Sequence, residues 1–266
     1  MAKKLAKKSY WDSVHKKGFG YVQSPLLQGL QNYELNLLVK KYAKKAKAKT
    51  IFEVGCAPAN YLIAFNKQFN LDVAGVEYSE EGMKKIEENF SKNNVKGKIF
   101  HADFFDDAFL KKNKNKYDIV YSIGFIEHFD NPQECIDRHF ALVKESGYVI
   151  IAIPNLRSIY KPFLSKELID SHNLTIMEKT SLKTYFKQYK THELFYCGGL
   201  LNLGLLTYKN KILDTIRLFF FLGQRLIFDP FMIGLYKLGF NFSNSLTSPQ
   251  LIIVCSKKKK SIKKKK

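Results

Sequence analysis

From Thr50 to Pro154 the chain alternates short β-rich runs with segments whose apolar residues recur every three or four positions. This alternation dictates strands laid side by side in parallel, each joined to the next by a helix that crosses the sheet. Strands are expected at Thr50 to Gly55, Asp72 to Glu77, Gly97 to Asp103, Tyr117 to Gly124 and Tyr148 to Pro154. Between them "NYLIAFNKQF", "SEEGMKKIEENF" and "NPQECIDRHFALVKES" carry the helical period. Ahead of the first strand, "NYELNLLVKKYAKKAKAK" reads as an amphipathic helix with a basic end.

After Asn155 the pattern loosens. Residues 156–180 read as loop or lid, Ser181 to Lys190 as a helix, and His192 to Gly198 and Leu251 to Cys255 as further strands. The stretch "KILDTIRLFFFLGQRLIFDPFMIGLYKLGF" is rich in apolar residues but broken by Asp214, Arg217, Arg225, Asp229, Pro230 and Lys237. No uninterrupted apolar run approaches the roughly 20 residues a bilayer span needs. Two helices that cover a substrate cavity or lie on a membrane surface are expected instead.

The 266 residues carry a formal charge of +20, of which Lys257 to Lys260 and Lys263 to Lys266 supply eight and Lys3, Lys4, Lys7 and Lys8 four, leaving +8 for the body. Blocks of like charge repel and stay solvated, so both tails are expected to be disordered, with attraction to anionic membrane or nucleic acid as their possible use. Cys56, Cys135, Cys197 and Cys255 are scattered, without metal-ligand spacing, and are read as reduced and mostly buried; no metal is expected. The N-terminus has charge but no apolar segment of a signal peptide, which points to the cytoplasm.

The segment "IFEVGCAPANYL" takes a strand through an acid and a glycine into the start of a helix. Backbone amides and a helix N-terminus at that edge stabilise polar groups of a nucleotide-like ligand. Glu77 ends the second strand 22 residues beyond Gly55, about where an acid accepts hydrogen bonds from ribose hydroxyls. The turn lacks the G-x-G-x-x-G that lets backbone approach a pyrophosphate, and Glu53 would put negative charge where a phosphate goes. A cationic ligand suits it better.

In order and at the expected intervals, "IFEVGCAPANYL", "DVAGVEYS", "IFHADFFD", "YDIVYSIGFIEHFDNP" and "GYVIIAIPN" resemble the motifs of class I S-adenosylmethionine-dependent methyltransferases of the small-molecule type. The resemblance implies a Rossmann-like α/β fold: a seven-stranded, mostly parallel sheet with helices on both faces and a helical acceptor-side insertion. It divides the chain into an N-terminal flap and helix (1–47), a cofactor-binding core (48–156), lid and acceptor elements with the last two strands (157–255) and a lysine tail (256–266). It assigns Glu53, with the backbone of Gly55, Cys56, Ala57 and Ala59, to the methionine end of the cofactor. Glu77 would take the ribose, Tyr78 would lie beside the adenine, Asp103 would read its amino group and Phe104 would pack its ring. Ser122, Gly124 and Phe125 would line the methyl-bearing sulfur.

Two alanines stand where the family commonly has glycines. Either the backbone angles there are ordinary, as Pro58 and a capping Asn60 suggest, or the cofactor binds more weakly. His128 is read either as a general base or as a packing or capping residue, and Glu127 as a partner of loop amides. Tyr10 and Trp11 are read as a flap over the cofactor or a hydrophobic staple. His172, Asn173, Tyr160 and Phe163 are candidates for acceptor contacts.

The acceptor is expected to be an oxygen or nitrogen of a small molecule, sugar or lipid-linked compound, with contact to an anionic membrane at its inner face. RNA methylation through the basic tails and a non-catalytic cofactor-binding role are the rivals. The nucleic-acid reading lacks an N/D-P-P-Y/F motif after the fourth strand, where "SIGF" stands.

Overall fold

A computed structural model describes residues 3–6, 8–17, 29–200, 203, 206 and 211–258. Residues 259–266 of the expected lysine tail, and Lys7, lie outside the described residues. The described strands are β1 (Thr50–Val54), β2 (Asp72–Glu77), β3 (Gly97–His101), β4 (Tyr117–Ile123), β5 (Val143–Pro154), β6 (Lys190–Cys197) and β7 (Gln250–Ser256). They form one sheet in the order β3-β2-β1-β4-β5-β7-β6. All neighbours are parallel except β7, which runs antiparallel to both β5 and β6.

The helices are α1 (Lys8–Lys17), α2 (Leu30–Ala46), α3 (Asn60–Phe69), α4 (Glu80–Asn93), α5 (Asp107–Asn113), α6 (Gln133–Leu142), α7 (Lys166–Asp170), α8 (Lys179–Thr184), α9 (Lys211–Gly223) and α10 (Asp229–Lys237). Strand alternation divides the core into two layers. Phe52 and Val54 face Phe109, Ile136 and Phe140 on one side, whereas Ile51 faces Leu35, Leu62 and Phe65 on the other. Each such side chain, fully buried, contributes about 1.5–3 kcal/mol. The same alternation turns Glu53 toward the Ile51 side, where Tyr121 meets it across the β1–β4 register.

Several boundaries differ from expectation. The helix expected to reach Ser146 ends at Leu142, and β5 begins at Val143, which pairs with Tyr117 before the register shifts. Gly147 permits this: a Cβ there would stand 2.4 Å from the Asp118 carbonyl oxygen. Helix α5 was not foreseen; Asp106 caps it by accepting from Ala108 N–H. The 156–180 segment, expected as loop or lid, contains α7 and 3₁₀ turns at Lys161–Phe163 and Leu174–Met177, and α8 starts and ends earlier than expected.

The largest correction concerns the apolar stretch. The two expected helices are one helical run, because α9 continues through a π-helical segment, Gln224–Phe228, into α10. Pro230 lacks an amide hydrogen and crowds the preceding turn, and the widened π turn absorbs that defect without ending the helix. The resulting helix, Ile212–Lys237, is 26 residues long and apolar enough to cross a membrane by length and composition, contrary to the reading of interrupted runs.

Candidate functional site

The carboxyl ends of β1, β2, β3 and β4 share one edge of the sheet, and every sequence-predicted cofactor residue lies in them or in the turns that follow. Gly55 has φ 70° and sits where a Cβ would be 2.7 Å from the Phe125 ring, so both backbone and space demand glycine. Its N–H and that of Cys56 donate to Val76 O at 3.0 and 3.2 Å, which ties the turn to the end of β2. Ala59 also has φ 70°, and it, not Asn60, occupies the position before α3. The expectation of ordinary angles therefore fails at Ala59 and holds at Ala57, which is not among the residues with positive φ. The left-handed geometry at Ala59 costs roughly 1–2 kcal/mol.

Glu53 is buried, and Tyr121 Oη donates to its Oε2 at 2.8 Å. Burial raises its pKa well above the usual range, with the nearby Glu77 charge adding to the rise. Glu77 accepts from Ser79 N at 2.7 Å and Tyr78 N at 2.9 Å through Oε1, and from Ala57 N at 3.4 Å through Oε2. Its pKa is also raised, since burial outweighs those three amides. Ionising a buried carboxyl within reach of another is costly, and a nearby bound cation lowers that cost. The electrostatics fit a positively charged ligand and oppose a phosphate.

Asp103 holds Lys4 Nζ on Oδ2 at 2.6 Å and the Phe105 amide on Oδ1 at 3.0 Å. Lys4 Nζ also lies 5.3 Å from the centre of the Tyr78 ring. The N-terminal strap thus sits on the residues assigned to the adenine, a placement nothing in the lysine-rich sequence signalled. Phe104 is turned into the core, edge-on to Phe125 and His139. Ser122 is buried with an unpartnered Oγ, and Gly124 has φ 69°.

Helix α1 lies across this edge against α4. Asp12 accepts from Ser79 Oγ at 2.6 Å, Lys8 pairs with Glu80, and Trp11 meets the His128 ring edge-on at 4.7 Å, with Tyr10 edge-on to Trp11. His128 itself is buried, its Nδ1 2.8 Å from Ser171 O, and burial holds its pKa down to about 3. The ring is therefore neutral at pH 7 and a poor proton acceptor in the free protein.

His172 packs 4.3 Å from His128, whereas Asn173 caps the next turn through Thr175 N and donates to Phe129 O and Asp130 O. Tyr160 is buried with its hydroxyl on Leu200 O, and Phe163 is exposed. All four cysteines are free and buried. Sequence reading missed Tyr121. The β1–β4 register that places it beside Glu53 joins residues 68 positions apart, and no motif in the sequence signals it.

A family model described as a methyltransferase domain matches residues 27–190. The chain belongs to the methyltransferase-domain family. With the fold, this makes it a class I S-adenosylmethionine-dependent methyltransferase, as the motif series implied. Among solved structures, this methyltransferase is similar to the plantazolicin methyltransferase BpumL in complex with a triazolic desmethylPZN analog and SAH. That pair has 15% identity and a TM-score of 0.57, with 96% of each chain covered. A SAM-dependent methyltransferase from Archaeoglobus fulgidus is similar at 19% identity and TM-score 0.52, covering 85% of this chain and 94% of that one. One from Aquifex aeolicus has 15% identity and TM-score 0.53, covering 70% and 93%. No curated protein matches this chain by sequence.

Proposed function

We propose that this methyltransferase moves the sulfonium methyl group of S-adenosylmethionine to an oxygen or nitrogen of a small, lipid-linked acceptor at the inner face of a membrane. The acceptor's lone pair attacks the methyl carbon as the carbon–sulfur bond breaks; sulfur keeps the bonding pair, and an acceptor proton leaves to solvent or a base. Such an in-line displacement needs mostly alignment. Glu53 and Glu77 supply the anionic cradle, and the β4 edge from Ser122 to Phe125 places the methyl group.

The observation that carries the membrane part is the orientation of α9–α10. Polar side chains face the protein: Gln224 and Asp229 are buried, and Arg225 Nη1 donates to Asp229 Oδ2 at 2.7 Å. The outward side carries Ile212, Phe219, Phe220, Leu226, Ile227 and Phe231, with Phe219 and Ile227 each 75% exposed. A helix with its apolar face outward needs an apolar medium on that side. Met232 is buried, and Tyr236 meets Tyr33 of α2 edge-on at 6.1 Å, so α10 is docked on the body and the helix lies along a surface. The net charge of +20 favours an anionic bilayer over a second copy of the same cationic chain.

Flotation with phosphatidylcholine/phosphatidylserine vesicles tests this, with Phe219→Ser, Phe220→Ser and Ile227→Ser combined as the variant. The intact protein should float with anionic vesicles more than with pure phosphatidylcholine, and the variant should stay behind with its Tm unchanged. A protein that ignores vesicles, or that dimerises through this face, sinks the membrane reading. Radiolabel transfer into a lipid extract, set against RNA, then separates the acceptors.

A further inference from the structure

The 3₁₀ turn Ile126–His128 after β4 and the segment after α7 bring together three metal-ligating side chains whose arrangement the methyl-transfer reading leaves unexplained. Glu127 is fully buried, and neither of its carboxylate oxygens has a hydrogen-bond partner. The amides of Phe125 and Glu127 lean toward it without forming a bond of normal geometry. A buried carboxyl in that state is costly, and it is aimed at two imidazoles. His128 Nε2 lies 3.9 Å from Glu127 Oε1.

The imidazoles are fixed in the same tautomer. His128 Nδ1 is 2.8 Å from Ser171 O, and His172 Nδ1 is 2.6 Å from Leu168 O. A carbonyl oxygen only accepts, so each Nδ1 carries the proton and each Nε2 keeps its lone pair. Metal-binding histidines are oriented in this way, the far ring nitrogen donating to a backbone carbonyl. One ligand atom from each of Glu127, His128 and His172 lies within 4.8 Å of the others. Metal bonds of about 2.0–2.1 Å in tetrahedral geometry require separations of roughly 3.4 Å, so the three ligand atoms must draw together when an ion binds.

We propose that Glu127, His128 and His172 form a divalent-metal site, best suited to Zn²⁺, on the acceptor side of the cofactor edge. Two nitrogens and one carboxylate are too nitrogen-rich for Mg²⁺ or Ca²⁺ and suit the borderline transition metals. Three protein ligands leave a coordination position open, as in catalytic rather than structural zinc sites. Given the methyl-transfer reading above, that position takes the acceptor's hydroxyl and lowers its pKa, a task His128 alone performs poorly. Trp11, edge-on to His128, covers the approach from the flap.

The test is a Co²⁺ titration of chelator-treated full-length protein, read by visible d–d absorption, with S-adenosylmethionine affinity measured on the same samples by calorimetry. Wild type should take up one saturable equivalent. His172→Ala, at a half-buried position, and Glu127→Gln should weaken it at least tenfold, while His192→Ala on β6 should leave it unchanged. Absence of saturable uptake, undiminished uptake in His172→Ala, or an equal loss in His192→Ala overturns the site. Loss of cofactor binding with metal uptake intact counts against methyl transfer alone.

Discussion

The cofactor edge and the α9–α10 arm reverse each other's chemistry. At the edge, Glu53, Glu77 and Ser122 are polar groups drawn into the interior at the ends of hydrophobic strands. In the arm, phenylalanines and isoleucines stand outside while Gln224 and Asp229 are buried. Each arrangement is unfavourable by itself and implies what offsets it: a cation in the first case, an apolar surface in the second. The two regions thus break the same burial rule in opposite directions, and the proposed cofactor and membrane contacts are what would offset each.

Paired glycine substitutions break the comparison most sharply. Gly55→Ala forces an L residue to φ 70° and drives a methyl to 2.7 Å from the Phe125 ring, so it should cost roughly 2–5 kcal/mol and abolish cofactor binding. Gly223→Ala in the arm meets nothing within 4 Å and should stabilise the helix by about 0.5–1 kcal/mol. Thermal melts of both variants check this, at about 2–4 °C per kcal/mol for a chain of this size.

Acid should loosen the edge before the arm. His139 is buried against Phe104 and Phe125, and burial lowers its pKa to about 4. It stays neutral in the folded state, so its contribution is complete above the unfolded value of about 6.5 and is lost as pH falls from there through about 4. That loss is on the order of 3 kcal/mol. His139→Leu should flatten the fall in Tm across that window, and an unchanged slope would assign the acid sensitivity to other groups.

Glu53→Gln keeps the shape and the Tyr121 contact but removes the negative charge. Affinity for S-adenosylmethionine should fall roughly 10- to 100-fold, about 1.5–3 kcal/mol, with little change in Tm. Calorimetry decides it: an unaltered affinity would mean that the cation is held elsewhere.

The smallest effect separates the two alanines of the turn. Ala59→Gly relieves left-handed strain at the expense of one buried methyl, about 0.8 kcal/mol, so it should be close to neutral and should not weaken the cofactor. Ala57→Gly has no such strain to relieve and should only loosen the turn. Cofactor titration of both variants shows whether the loop was made tight by its alanines or in spite of Ala59.

Much of the fold was legible because the parallel sheet needs a period of two in its strands and of 3.6 in its helices, and residues 50–154 obey both. The site was legible to the extent that it is local: Glu53, Gly55 and Glu77 lie at strand ends that the pattern itself marks. Val143 to Gly147 was misread because an apolar helix end and a strand start share composition there, and the register against Tyr117 decided it. The arm was misread because charges were counted along the chain. Asp214, Arg217, Arg225 and Asp229 interrupt the sequence, yet they pair within one helix, at i,i+3 and i,i+4.

By itself the sequence determined the layer order of the core, the acid–glycine–acid series of the cofactor edge and the family, since these depend on residues near one another in the chain and on periodicity. Only the tertiary structure decided that Lys4 rests on Asp103, that Tyr121 holds Glu53, that His172 reaches His128, and which face of α9–α10 looks outward. Those contacts join residues far apart in sequence. No local pattern encodes them; the packing of helices on the sheet brings them together.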